Sequence, residues 1–213
     1  VIEYFEAHKI ALTATPALHT VSLFGEPVFD YSYRRAVLDG YLVDHEPPFT
    51  IETQLMNDGI SYEKGKTVQI YDTATQTIKN KVIEDELSFD IENFNRKVIN
   101  ENFIRVVCRE LTQHIPLEDS GKTLIFAVND NHANMIERIL KEEYRKEYSY
   151  DKSFYLHEDA IKKITGYVKD ADLEIKKFKN EEYPKFAVTV DLMTTGIDVP
   201  EICNLVFMRR VKS

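Results

Sequence analysis

Three features of the sequence predict an α/β domain, built on a parallel sheet with helices on both faces. From about residue 115 onward, short apolar runs alternate with longer stretches of helical periodicity. The runs at 123–128 and 186–190 are apolar at nearly every position, as strands sandwiched between two helix layers must be. Turn signals such as Asn129-Asp130 and Gly166 follow the strands.

The elements can be justified in order. Lys9-Ile10-Ala11-Leu12-Thr13 reads as a buried strand, ended at Ala14-Thr15-Pro16 because proline cannot continue a ladder. Glu26-Pro27 closes this first stretch, 1–28. Ser32 is placed to cap a short helix over 33–39, and Gly40 to stop it. Pro47-Pro48 then leads into 49–55, whose alternation suits a half-exposed strand, so 29–56 reads as a connector plus the first strand of the main domain. Residues 57–90 are rich in Thr, Lys, Asp and Glu, with weak strand signals around 67–71, and are expected to form an irregular, solvated insertion.

The main domain is expected over 91–213. It begins with a largely helical stretch, 91–114, in which Val98, Phe103, Val106, Val107 and Leu111 supply an apolar stripe. Strand 123–128 leads to a helix over 131–148 with Ala133, Ile136, Ile139, Leu140 and Tyr144 on one face and Glu137, Arg138, Lys141 and Glu142 opposite. Asn129 and Asp130 are available as its caps. Strand 160–165, helix 171–179, strand 186–190 and strand 202–208 complete the series. Ligands of parallel sheets sit at the carboxyl ends of the strands, which puts 127–130, Gly166 and 191–200 on the functional rim.

Composition narrows the classes. With 213 residues, 43% hydrophobic and 30% charged, the chain can bury one full domain and carry additional material. No apolar run approaches the ~20 residues of a membrane span and no signal segment opens the chain, so a cytoplasmic protein with no membrane partner is expected. Cys108 and Cys203 both lie in apolar surroundings and read as buried free thiols. The net charge of −9 argues against a surface coated in cations, yet does not exclude DNA, which backbone amides and a few local cations can hold. Val1 is not a methionine and the chain stops directly after a strand, so both ends are expected to be cut from something longer.

Several motif-like strings carry no chemistry. Ser120-Gly121-Lys122-Thr123 suggests a phosphate loop, but Pro116 stands where the first glycine belongs, and the string precedes a strand rather than opening a helix. It reads as a turn feeding a strand. His157-Glu158-Asp159 lacks the second histidine of a helical zinc motif, and Glu174-Ile175-Lys176 reads as charged helix surface. No metal-ligand spacing is visible around the histidines, so no metal site and no self-contained catalytic site is expected.

Three segments remain. In Leu12-Thr13-Ala14-Thr15-Pro16 a strand ends in two small hydroxyl residues, which could exchange hydrogen-bond partners as a nucleotide changes state. The strand over 123–128 exits through Asn129-Asp130-Asn131 into a helix, where exposed amides could meet a phosphate. In 188–200, Gly196 permits close approach of a phosphate backbone, Thr194 and Thr195 offer hydroxyls, Asp198 can accept from a ribose hydroxyl, and Pro200 stiffens the return to the sheet.

In this order and at these distances the three segments resemble motifs III, IV and V of superfamily 2 helicases. The wording of 12–20, 39–48, 123–129, 163–166 and 189–210 resembles more closely the motor (R) subunit of type I restriction enzymes. The resemblance covers nearly the whole chain and is weakest at 57–88 and 143–160. It implies a truncated second RecA-like motor domain over 91–213, with 1–28 a remnant of the first. The implied activity is ATP-dependent translocation of double-stranded DNA, joined to an endonuclease and assembled with modification (methyltransferase) and specificity subunits. By position, Thr13, Ala14 and Thr15 would couple ATP state to motion. Ala127, Asn129, Gly166, Thr194, Thr195 and Gly196 would lie at the DNA, and Asp198 would face the nucleotide. The main ligands of ATP and Mg²⁺ are expected outside this chain, so the fragment alone should hydrolyse neither ATP nor DNA. Two other readings stand beside this one: the second lobe of a different superfamily 2 helicase or remodeller, and a non-catalytic α/β domain that binds a nucleotide or a protein.

Overall fold

A computed structural model describes residues 8–13, 18–51, 60–62, 67–72, 77–82, 87–89, 101–119, 121–191 and 199–209. The chain divides into two compact units, 1–50 and 51–213.

In the first unit, the apolar string at 8–13 is not a strand: it has no regular structure, and Ile10 and Leu12 are almost fully exposed. Apolar alternation makes a strand only where a neighbour supplies ladder partners, and none is present among the described residues. Helix α1 (Leu18–Phe24), unforeseen in the sequence, ends at Gly25, whose N–H still reaches the Val21 carbonyl at 2.8 Å and whose positive φ turns the chain out of the helix. Helix α2 (Tyr33–Leu38) is bounded as expected. The Ser32 hydroxyl accepts from the Arg35 N–H, and Gly40 turns left-handed just beyond the Asp39 C-cap. Residues 49–51, read as the start of a strand, carry no regular structure, and 52–55 lie outside the described residues.

The second unit holds a correction at 57–90. This stretch is not irregular: β1 (Ile60–Tyr62) pairs antiparallel with β4 (Leu87–Phe89), and β2 (Thr67–Asp72) pairs antiparallel with β3 (Thr77–Val82). Cross-strand partners such as Val68 with Lys81 and Ile70 with Lys79 explain the weak signal. Ladder hydrogen bonds form without the strict apolar alternation by which a half-buried strand is recognised.

Helix α3 (Glu101–His114) buries Ile104, Val107, Cys108 and Leu111, the i, i+3, i+4, i+7 positions of one face. Val106 falls off that face and is exposed, contrary to its expected place in the stripe. Residues 91–100, including Val98, lie outside the described set. The parallel sheet follows: β5 (Lys122–Phe126), β6 (Ile161–Lys163), β7 (Phe186–Thr189) and β8 (Ile202–Phe207), in spatial order β6-β7-β5-β8. Between them run α4 (Asp130–Glu147) and α5 (Ala171–Asn180). Side chains of β5 alternate between two cores. Ile125 packs with α3 and α4 through Ile104, Ile136, Ile139 and Leu140. Leu124 and Phe126 pack with Phe178 of α5 on the opposite face. This is the parallel α/β arrangement with helices on both faces that the periodicity predicted, with every expected apolar residue of α4 buried.

One cysteine departs from expectation. Cys108 is buried and burial pushes its thiol up to about 12, whereas Cys203 is exposed. Along β8 only alternate residues are covered, and Cys203 shares the open positions with Leu205 and Phe207.

Candidate functional site

The carboxyl ends of the four parallel strands form one rim, and the chain's turn chemistry sets each exit. After β5, Asn129 leaves the strand in extended conformation and caps α4: its Oδ1 accepts the His132 N–H at 2.9 Å and its carbonyl the Ala133 N–H at 3.0 Å. Ala127 is wholly buried, and its N–H donates to the Thr189 carbonyl at 2.7 Å, so it anchors the loop within the sheet. Beneath the loop, His132 is buried and its Nδ1 accepts the Val128 N–H at 3.2 Å. Burial holds this imidazole neutral, with its pKa lowered to about 4. Its Nε2 has no partner among the described residues.

Asp130, the first residue of α4, reaches the exit of β6. Its Oδ2 lies 2.9 Å from the Lys163 ammonium, and its Oδ1 accepts the Thr165 hydroxyl at 2.5 Å. The Lys163 N–H donates to Glu137 Oε2 at 3.1 Å. Gly166 follows in an exposed turn, closed by the Val168 N–H on the Thr165 carbonyl at 3.0 Å. At the other two exits, Arg209 beyond β8 donates to the Val190 carbonyl at 3.0 Å and to Asp191 Oδ1 at 2.8 Å. The Arg209 guanidinium also lies 5.7 Å from the centre of the Phe126 ring. Thr189 Oγ1 is buried without a partner among the described residues, at the last position before the β7 exit.

Of the residues singled out in the sequence, the rim therefore gathers Ala127, Asn129 and Gly166. Thr13 lies in the other unit, in the exposed segment without regular structure. Ala14, Thr15, Thr194, Thr195, Gly196 and Asp198 lie outside the described residues. Sequence reasoning missed the two cross-loop ion pairs, Asp130–Lys163 and Asp191–Arg209. Their members were visible as a cap and as parts of longer strings, but nothing in one dimension joins them.

The strings set aside in the sequence are explained by the structure. Lys122 is almost wholly buried, and its ammonium donates to the Phe178 and Glu181 carbonyls at the end of α5. It is a helix-capping lysine, unfit to cradle a phosphate. Glu174 is not surface charge. It is buried, with ion pairs to Lys162 at 2.9 Å and Lys177 at 3.2 Å. Among the described residues there is no cluster of three His, Cys, Asp or Glu side chains that could hold a metal, and no helix long and apolar enough to cross a membrane.

No family model matches the chain. Two curated proteins are similar to it along its length. The type I restriction enzyme EcoKI endonuclease subunit of Escherichia coli (strain K12) is 44% identical over 220 residues, an alignment that takes in 100% of this chain and 18% of that protein. The type I restriction enzyme EcoAI endonuclease subunit of Escherichia coli is 28% identical over 220 residues, with 98% of this chain and 24% of that protein aligned. The chain spans less than a quarter of the length of either relative.

Proposed function

Since the chain is homologous over its whole length to the endonuclease subunits of type I restriction enzymes, we propose that it is part of the ATP-driven double-stranded DNA translocase of such an enzyme. In this reading residues 91–213 are the second RecA-like lobe and 1–28 a piece of the first. The parent subunit works in the cytoplasm with modification and specificity subunits, moving DNA before cutting it. ATP and Mg²⁺ are held mainly by other parts of the parent, and the isolated chain hydrolyses nothing. The observation that carries the reading is the 44% identity, in an alignment that takes in the whole chain. Two structural features support it. A parallel sheet places a set of loops at its carboxyl rim, where ligands of such folds bind. The apolar string at 8–13 is exposed, as a strand parted from its own sheet would be.

The test uses the full-length parent. Gly196→Asp adds a carboxylate and a Cβ where a phosphate backbone is expected to approach. DNA-stimulated ATPase should fall by roughly a hundredfold or more, while the thermal unfolding curve stays in place. Undiminished stimulation by duplex DNA would take Gly196 out of the DNA-contact role.

A further inference from the structure

We propose that Asp130 is the positioning residue of the DNA-contact rim, holding the β5 and β6 exit loops as one rigid unit. The inference rests on the translocase reading and deepens it.

The sheet order explains why a positioning residue is needed here. β5 and β6 are not neighbours: β7 lies between them, so no ladder hydrogen bond ties their exits together. The two loops carry Asn129 and Gly166, which the translocase reading would put near the DNA. Helix α4 begins at the first loop and Asp130 is its first residue, from which one carboxylate spans the gap. Oδ1 takes the Thr165 hydroxyl and Oδ2 the Lys163 ammonium, so both sides of the β6 exit are fixed by a single group. Thr165 is buried, the Lys163 side chain is only 15% exposed and that of Asp130 24%, so the pairing is shielded from competing water. A bidentate, charge-assisted contact of this kind restricts direction as well as distance. Asn129 is already spent on capping α4, and Glu137 further along that helix takes the Lys163 backbone N–H, which leaves Asp130 to hold the side chains at the β6 exit.

Charge alone and positioning predict opposite outcomes. A carboxylate near a phosphate-facing rim repels DNA, so its removal should tighten binding if electrostatics were its only role. If Asp130 positions the loops, its removal loosens binding despite the lost repulsion.

The experiment measures binding of a fluorescein-labelled duplex by the full-length parent across a series of KCl concentrations, together with duplex-stimulated ATPase. For Asp130→Ala we expect affinity lower by about tenfold, of the order that a misplaced contact loop costs. The salt slope should not become shallower, because no phosphate-neutralising cation is removed. The DNA concentration for half-maximal ATPase should rise while the plateau holds. Thr165→Val, which keeps the side-chain shape, should give a smaller loss, and Asp130→Ala/Thr165→Val should be no worse than Asp130→Ala alone. Asp130→Asn keeps an acceptor for Thr165 and should fall between wild type and alanine. Should Asp130→Ala lower the melting temperature sharply, Thr165→Val and Asp130→Asn carry the decision. Unchanged or tighter binding in these variants overturns the positioning role alone. A wild-type parent without salt-dependent duplex binding overturns the translocase reading and the positioning role with it.

Discussion

Lys122 and Lys163 are the same side chain on two strands of one sheet, and the sheet puts them to opposite uses. Lys122 opens β5 at the amino edge, its side chain 3% exposed, donating to two carbonyls at the end of α5 and lying 3.6 Å from Glu201. Burial lowers its pKa even against the pull of Glu201. Lys163 closes β6 at the carboxyl rim and pairs with an acid from a different loop. At the amino edge and in the α3–α4 contact, ionic groups are absorbed into the scaffold. Glu143 shows the same pattern: burial alone would raise its pKa, but Lys146, Arg105 and Arg109 prevail and hold it at about 2. At the rim, ion pairs join loops that the ladder leaves separate. What distinguishes a structural from a functional charge here is which elements it connects, rather than its residue type.

The comparison breaks most readily at Lys122. Lys122→Met retains much of the aliphatic bulk but leaves the Phe178 and Glu181 carbonyls without their donor. Losing one partner of a buried charged contact costs about 3 kcal/mol. Urea unfolding of this chain should show that loss, whereas Lys163→Met should cost less, because its partner Asp130 keeps the Thr165 hydroxyl and is itself partly open to water. Equal losses at the two lysines would dissolve the distinction between edge and rim.

The next largest effect belongs to His132, which lies under the rim but is built like the scaffold. Its folded pKa, about 4, is depressed by burial below the ordinary 6.5 of a histidine, so the folded state favours the neutral ring. Its contribution is therefore fully present above pH 6.5 and is lost as pH falls towards 4, because the unfolded chain takes up the proton first. A difference of this size amounts to roughly 3 kcal/mol. Glu143 extends the decline at lower pH, from about 4.5 down to about 2, again with stability present on the alkaline side. In His132→Asn the amide oxygen can still accept the Val128 N–H, so the decline of stability between pH 6.5 and about 4.5 should become much shallower. An unchanged slope in that window would assign the acid sensitivity to other groups.

Much of this fold was legible because its signals are periodic. Ala133, Ile136, Ile139, Leu140 and Tyr144 recur at helical spacing and are all buried. Asn129 and Ser32 cap where a short polar side chain before a helix should. Signals that depend on a neighbour were not legible. The string at 8–13 has a strand's composition but no regular structure, and the β1–β4 and β2–β3 ladders are paired but show little apolar alternation. At the candidate site, Asn129 and Gly166 were found from turn chemistry. The ion pair between Asp130 and Lys163, 33 positions apart, follows from α4 crossing β7, a fact of topology that no local pattern carries.

The smallest expected change is the sharpest discriminator within the rim itself. Asp191 is an acid like Asp130, yet its side chain is 75% exposed, and the arginine it meets is held in other ways. Arg209 remains bonded to the Val190 carbonyl and lies against the Phe126 ring whether or not Asp191 is charged. Asp191→Asn should therefore leave stability within about 0.5 kcal/mol of wild type, as exposed pairs usually do. It frees a positive charge at the rim without releasing a loop. In the full-length parent, duplex binding should tighten by a few-fold, with a salt slope steeper by about one as Arg209 takes up a phosphate. That is the reverse of the outcome expected for Asp130→Ala. Two acids on one rim with opposite effects on DNA affinity would separate a carboxylate that positions from one that merely screens. A loss of affinity in both variants would mean that any change of rim charge disturbs the site, and the particular claim on Asp130 would not survive it.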